Sequence, residues 1–281
     1  LLESVTFSYQ MATYLTYRHN SKADPNTGIR PDENYAREIM QLFSIGLVEL
    51  EADGTVRLDG SNQPIPTYDQ ADIEELARVM TGWSYAGATN WNFPQANFLA
   101  PMEPWEEYHD ADAKTIVTGA LIPAGLTAEE DLDAALDVLF NHPNTGPFIS
   151  RRLIQRLVTS NPSPAYVGRV AAVFADDGEG VRGNLAAVAR AILMDDEARN
   201  GHLAAPTTFG KVREPLIRLA GLWRAFDAGA ATGRFRYWNP QNDFGQAALR
   251  APTVFNFFEP DYAPPGPEAA ADLVGHEVQI T

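Results

Sequence analysis

The sequence predicts a mainly α-helical fold: a large multi-helix globular domain with one or two small β-hairpins and long aromatic-rich loops. Three observations carry this. Apolar residues recur at helical spacing through most of the chain, flanked by residues that cap helices. Strand-like alternation is confined to short stretches, around Asp53-Gly54 and in residues 114–122. And 15 of the 29 aromatic residues crowd into residues 83–108 and 235–262, about a fifth of the chain, which is too aromatic for disorder.

Taken in order, residues 3–18 have mixed helical character, and "HNSKADPNTGIRPD" is a polar linker rich in turn residues. Residues 34–45 wind as an amphipathic helix. Asn34, Arg37, Glu38 and Gln41 fall within an arc of about 100°, opposite Tyr35, Ile39, Leu42 and Phe43. Asp32 or Glu33 suits the N-terminus of that helix, where a carboxylate meets free N–H groups, and Gly46 suits the left-handed position after its end. "LVELEADGTVRLDG" reads as a hairpin turning at Asp53-Gly54. In "YDQADIEELARVMTGW" Ile73, Leu76, Ala77, Val79 and Met80 line one face and Gly82 ends the helix. Residues 83–108 are irregular and "KTIVTGALI" is strand-like. Thr127 and Glu130 form a capping-box pattern for "AEEDLDAALDVLFNH". Further helices are expected at 145–159, at 164–175 with Ser163 as cap and Pro164 first, at 183–195 after Asn184, and at 211–227. With no internal repeat, residues 1–281 read as a single domain.

Composition limits function. A net charge of -16, with 21 basic against 37 acidic residues, argues against nucleic acid or an anionic membrane surface as the main partner, though local basic spots remain. The absence of cysteine excludes disulfides, thiolate nucleophiles and cysteine metal sites. No apolar run approaches the length of a membrane span. The chain opens at Leu1 inside helix-like sequence, so an N-terminal part is expected upstream.

Several residues carry chemistry. "YHDADAKTIVTG" sets His109 beside Asp110, with Asp112 and Lys114 following, where the aromatic segment meets the strand-like one. Imidazole with carboxylates serves metal ligation or acid/base work, and adjacent residues converge only in a turn. Trp91 and Trp105, each beside polar or proline residues, are the aromatics most expected to be exposed and to line a groove. The zincin, phosphate-loop, dinucleotide and serine-elbow patterns are all absent.

Six blocks, "PDENYAREIMQLFSIGL", "RVMTGW", "HDADAKTIVTG", "HPNTGPFISRRLIQRLV", "FGKVREPL" and "FGQAALRAPTVFNFFEPDYAPPG", resemble in order and spacing the bacterial family catalogued as domain of unknown function 1800. The resemblance runs from about residue 15 to the end. It implies a mainly helical, exported protein, periplasmic or extracellular, whose gene neighbours a sulfatase-like companion, and it implies no reaction. The family's characteristic positions fall here on Asn34, Arg37, Glu38, Thr81, Trp83, His109, Asp110, Lys114, Lys211, Glu214 and Gln246, among others. The chain departs from the family pattern at Gln41-Leu42-Phe43, which weakens any metal site on that helix; the metal and cofactor stay undetermined.

The resemblance suggests one shared cleft for the polar helix face, the His-Asp turn and the aromatic loops. Three readings follow. In the first the protein is an enzyme or enzyme partner acting on a cell-surface or extracellular glycan. Glu38, His109 and Asp110 are then the catalytic candidates, and Asn34, Arg37, Trp83, Trp91, Trp105, Lys114, Lys211 and Gln246 the ligand-binding ones. In the second it is a noncatalytic glycan-binding or assembly module serving the sulfatase-like companion. In the third the polar set is a structural network.

The complete gene is expected to encode an export signal upstream of Leu1. A full reading frame that starts within a few residues of Leu1 and carries no signal would overturn this.

Overall fold

The computed structural model describes every residue except Arg236, Leu249 and Thr281, and it is helix-dominated with two small two-stranded antiparallel sheets. The chain divides into two compact units, Leu1–Ile149 and Ser150–Thr281.

The first unit runs α1 (Leu2–Thr6), α2 (Tyr9–Tyr14), α3 (Asn34–Gln41), α4 (Gln70–Val79), β1 (Trp83–Ser84), β2 (Glu103–Pro104), β3 (Lys114–Ile116), β4 (Ala120–Ile122) and α5 (Ala128–Asn141). A sixth helix, α6 (Thr145–Leu157), begins here and ends in the second unit. On α3 the buried face is Tyr35, Ala36, Ile39 and Met40. Fully burying side chains the size of Ile39 or Met40 contributes roughly 1.5–3 kcal/mol each. Tyr35 stacks on Tyr17 at 4.2 Å and its hydroxyl meets Thr6 Oγ1 at 2.6 Å. Leu42 and Phe43, expected on this face, are only half-buried because the helix stops at Gln41 and they turn out with the chain. As anticipated, Asp32 Oδ1 accepts the Asn34 N–H at 2.9 Å and Gly46 is left-handed at φ 75°.

Residues 47–60 form the expected hairpin through the isolated antiparallel bridge Leu50 to Val56, with Gly54 at φ 78°, and an unanticipated third segment, residues 64–66, bridges Leu58 and Val48. One side chain pins it. Asn144, 2% exposed, donates to the carbonyls of Ile45 (2.9 Å) and Val48 (2.7 Å) and accepts the Leu50 N–H (2.8 Å). "KTIVTGALI" is two strands rather than one: Thr118 and Gly119 both take positive φ, 67° and 72°, and fold β4 back on β3.

Caps decide where helices start. Asp69 accepts the N–H groups of Ala71 and Asp72 while Asp72 returns a bond to Asp69, and Thr127 with Glu130 does the same for α5. The buried stripe of α5 is Ala128, Asp131, Leu132, Ala135 and Leu139, so an aspartate sits among apolar residues.

In the second unit α7 (Pro164–Ala175) and α8 (Leu185–Met194) form the core pair. Tyr166, Val167, Val170 and Phe174 pack with Val188 and Ile192, and the Tyr166 hydroxyl donates to the Ile192 carbonyl at 2.6 Å. Ser163 and Asn184 cap as expected. An unanticipated helix, α9 (Asp196–Ala204), follows because Asp195 ends α8 and at once caps α9, accepting the Glu197 N–H at 2.9 Å. Last come α10 (Pro215–Ala225), α11 (Pro240–Phe244) and α12 (Pro267–Ala270), none of which fully buries a residue.

Gly46→Ala is expected to destabilise the protein by about 2 kcal/mol or more, combining a left-handed alanine with overpacking. A Cβ there would lie 2.7 Å from the Phe148 ring. Chemical unfolding checks this, and a loss under about 0.5 kcal/mol, the range of a neutral surface change, would contradict it.

Candidate functional site

The His-Asp turn is where the sequence candidates converge. Gly82, at φ 87°, ends α4 so tightly that a Cβ would lie 3.0 Å from the Cβ of His109 and from the Trp105 carbonyl. This close approach seats the 106–110 turn on the end of α4. Thr81 ties the two together: its hydroxyl donates to the Arg78 carbonyl at 2.7 Å and accepts the Asp110 N–H at 2.9 Å.

His109 and Lys114 both have fully buried side chains and meet on one carboxylate, Asp131 of α5. His109 Nε2 lies 3.1 Å from Asp131 Oδ2, and its Nδ1 lies 3.1 Å from the Thr81 carbonyl. The Lys114 ammonium bonds the same Asp131 oxygen and the carbonyls of Asp110 and Asp112. An ammonium has three N–H donors, and all three are matched. Asp131 Oδ1 is left without a partner.

Asp110 is engaged as fully. Arg78 grips it with Nε to Oδ2 at 2.8 Å and Nη2 to Oδ1 at 3.0 Å, and Arg78 also bonds Glu75. Burial pushes the Asp110 carboxyl up, but the Arg78 guanidinium and the Asp112 N–H more than offset this and hold it below its ordinary value. Planar two-pronged pairing of this kind is among the stronger charge contacts.

Asn34, Arg37 and Glu38 are elsewhere. No hydrogen bond or ion pair joins them to His109, Asp110 or Lys114 among the described residues. Arg37 pairs with Glu33 at 3.0 Å, one turn back, rather than with Glu38. Asn34 is exposed and donates to Thr16 Oγ1 at 2.7 Å. Burial raises the Glu38 carboxyl, against a smaller opposing pull from Arg37. Glu38 Oε2 has no hydrogen-bond partner, and neither does the nearby Tyr68 hydroxyl, whose ionisation Glu38 and Arg37 both influence.

The tryptophans correct the expectation of exposure. Trp91 is 8% exposed, stacked on Tyr108 at 4.1 Å, 5.8 Å from Trp105 and 4.9 Å from His19. Neighbouring rings cover the face that its polar sequence neighbours suggested would be open. Trp105 is half-buried. Trp83, a ligand-binding candidate, is fully buried against Phe7 and belongs to the core. Within residues 83–108 the solvent-facing apolar groups include Phe93, Phe98 and Leu99.

Lys211 and Gln246 belong to the second unit. Lys211 repeats the solution seen at Lys114: it donates to the carbonyls of Gln155 (3.2 Å) and Arg156 (2.9 Å) at the end of α6 and pairs with buried Glu277 at 2.7 Å. Glu277 lies under His276 as well; burial pushes its carboxyl up, but His276 and Lys211 more than offset this and hold it at about 2. Gln246 is buried and donates to the Glu214 carboxylate.

Arg78, Asp131 and Glu277 were missed by the sequence reading. Asp131 had a visible signal, as the one acid at a buried position of the α5 stripe. Among the described residues no group of three or more His, Asp and Glu side chains is placed to hold a metal ion, and no helix is long and apolar enough to cross a membrane.

A family model described as protein of unknown function, DUF1800, matches residues 1–279, and the chain belongs to that family. Neither the curated proteins nor the solved structures contain a match to the chain.

Asp131→Asn, which leaves the Lys114 ammonium buried against a neutral group, is expected to cost about 3–5 kcal/mol of folding stability. Glu38→Gln should cost less than about 1.5 kcal/mol, because it breaks no ion pair. Denaturant unfolding of both variants beside the parent tests the contrast, and equal losses would refute it.

Proposed function

We propose, with membership of the DUF1800 family as the premise, that this chain is a noncatalytic module that binds glycan. The observation that supports the reading is the internal saturation of the His-Asp turn. A general acid or base must reach a substrate proton with a free lone pair or N–H. His109, Asp110 and Lys114 instead direct those groups at one another, at Arg78 and at Asp131. Perturbed polar clusters of this kind serve structure as readily as chemistry. Binding falls to the aromatic-rich segments, 85–102 and 235–262, whose exposed members include Phe93, Phe98, Tyr237 and Trp238. Flat apolar faces with polar edges suit sugar rings. Export and the sulfatase-like companion expected from the family resemblance form the setting of this proposal: the companion supplies the chemistry and this chain holds the polymer.

A second reading, an enzyme acting on the same polymer, is favoured by one observation. The Glu38 carboxyl is raised by burial and keeps an oxygen without a partner, a direction that suits a general acid.

Saturable binding of cell-surface polysaccharide, with no new reducing ends or released groups over long incubation, is the expected result. Turnover by the chain alone that disappears in Glu38→Gln would replace the first reading with the second.

A further inference from the structure

We propose that a pocket in the second unit, walled by Trp223 and Phe235 and edged by Arg224 and Asp227, binds one acidic sugar ring of a glycan. The inference deepens the noncatalytic glycan-binding reading and rests on it.

The pocket has a volume of about 290 Å³ and is lined by Ala220, Trp223, Arg224, Asp227, Ala228 and Phe235. Five of the six recur at i, i+3, i+4, i+7 and i+8, which is a single helix face continued through the end of α10. The two alanines leave the floor open, and Phe235 returns from the following loop to stack on Trp223 at 4.4 Å and 17°. The volume sits at the small end of the range for ligand sites, roughly 300 Å³ upward, so it suits one ring rather than a length of polymer.

The polar rim is not explained by stability. Asp227 follows α10 in a left-handed conformation, φ 47°, which aspartate and asparagine adopt more readily than most residues. Its carboxylate also stands at the negative end of the helix dipole, which disfavours an acid. Neither Arg224 nor Asp227 has an ion-pair partner among the described residues, and they do not pair with each other although three residues apart. Arg224 taken alone has an ordinary account, since a cation suits the last turn of a helix. Asp227 beside it faces an unfavourable dipole end.

Together they specify a ligand. An aromatic wall accepts the C–H face of a sugar, a carboxylate accepts its hydroxyl protons, and a guanidinium pairs with an acid group. In sequence, residues 211–250 hold seven basic and three acidic residues within a chain of net charge -16. Exposed charges further away than about 8–10 Å are largely screened at physiological salt, so the local balance governs an approaching anion.

The test is titration of the whole 281-residue chain, followed by tryptophan fluorescence and calorimetry, with uronic-acid oligosaccharides including trigalacturonate, with neutral maltotriose and with a single-stranded oligonucleotide. The acidic sugars are expected to bind in preference to maltotriose. Trp223→Ala and Asp227→Asn should each weaken them about tenfold or more, the loss typical of an anchoring contact. Arg224→Gln, an exposed change that leaves the melting temperature at the parent value, should erase the preference for acid over neutral sugar. Acidic sugar that binds equally well to all three variants overturns the pocket while the glycan-binding reading stands. Failure of the parent chain to bind any sugar, in this set or in a broad polysaccharide panel, overturns both. Tighter binding of the oligonucleotide, lost in Trp223→Ala, assigns the pocket to nucleic acid and overturns the proposal.

Discussion

Asp131 is the group on which the first unit depends. It lies at a buried position of α5, where the helix otherwise presents Ala128, Leu132, Ala135 and Leu139 to the core. A carboxylate there is costly unless cations and hydrogen bonds surround it. Lys114 arrives from β3 and His109 from the turn after the aromatic segment. Through Lys114 the network reaches the carbonyls of Asp110 and Asp112, and through Asp110 it reaches Arg78 on α4. One buried acid thus fixes α5, β3, the turn and the end of α4 in one register. The second unit uses the same arrangement, with Glu277 as the buried acid and Lys211 as the cation shared with two carbonyls. Two lysines far apart in the chain are therefore embedded by one physical recipe.

Much of the fold was legible because its signals are local. Capping residues named the starts of α5, α7 and α8, and the glycines expected after α3 and α4, Gly46 and Gly82, both take left-handed φ a few residues beyond the helix ends. What stayed hidden depends on partners distant in sequence. Asn144 pins a hairpin nearly a hundred residues earlier, and nothing beside it in the chain announces that. The candidate site was half legible for the same reason. His109 and Lys114 meet on Asp131, and Lys114 also bonds the Asp110 carbonyl, a grouping that the family resemblance and not their spacing suggested. Their partners Asp131 and Arg78 decide what they do, and those come from other elements. Trp91 illustrates the opposite error: its polar neighbours in sequence are not its neighbours in space, where Tyr108 and His19 cover it.

The two units differ in how they treat charge and apolar surface. In the first, Asp110 and Lys114 are matched with Arg78 and Asp131, and Trp83 and Trp91 are turned inward. In the second, Arg218 and Arg224 of α10 have no ion-pair partner among the described residues, and Phe226 and Trp238 are 77% and 80% exposed. A helix that fully buries none of its residues contributes little to a core, so its apolar stripe has a use only if something is laid against it.

The contacts around Asp131 also have a time order built into them. Asp131 is separated by 22 residues from His109 and by 17 from Lys114, whereas Asn144 reaches back 99 residues to Ile45. The entropy lost on closing a loop grows with the logarithm of its length, and long-range pairings form late on that account. The ionic knot is thus an early closure and the Asn144 clasp a late one. A nascent chain that has emerged only through α5 already holds every side chain of the knot, while the hairpin at 47–60 still waits for its clasp.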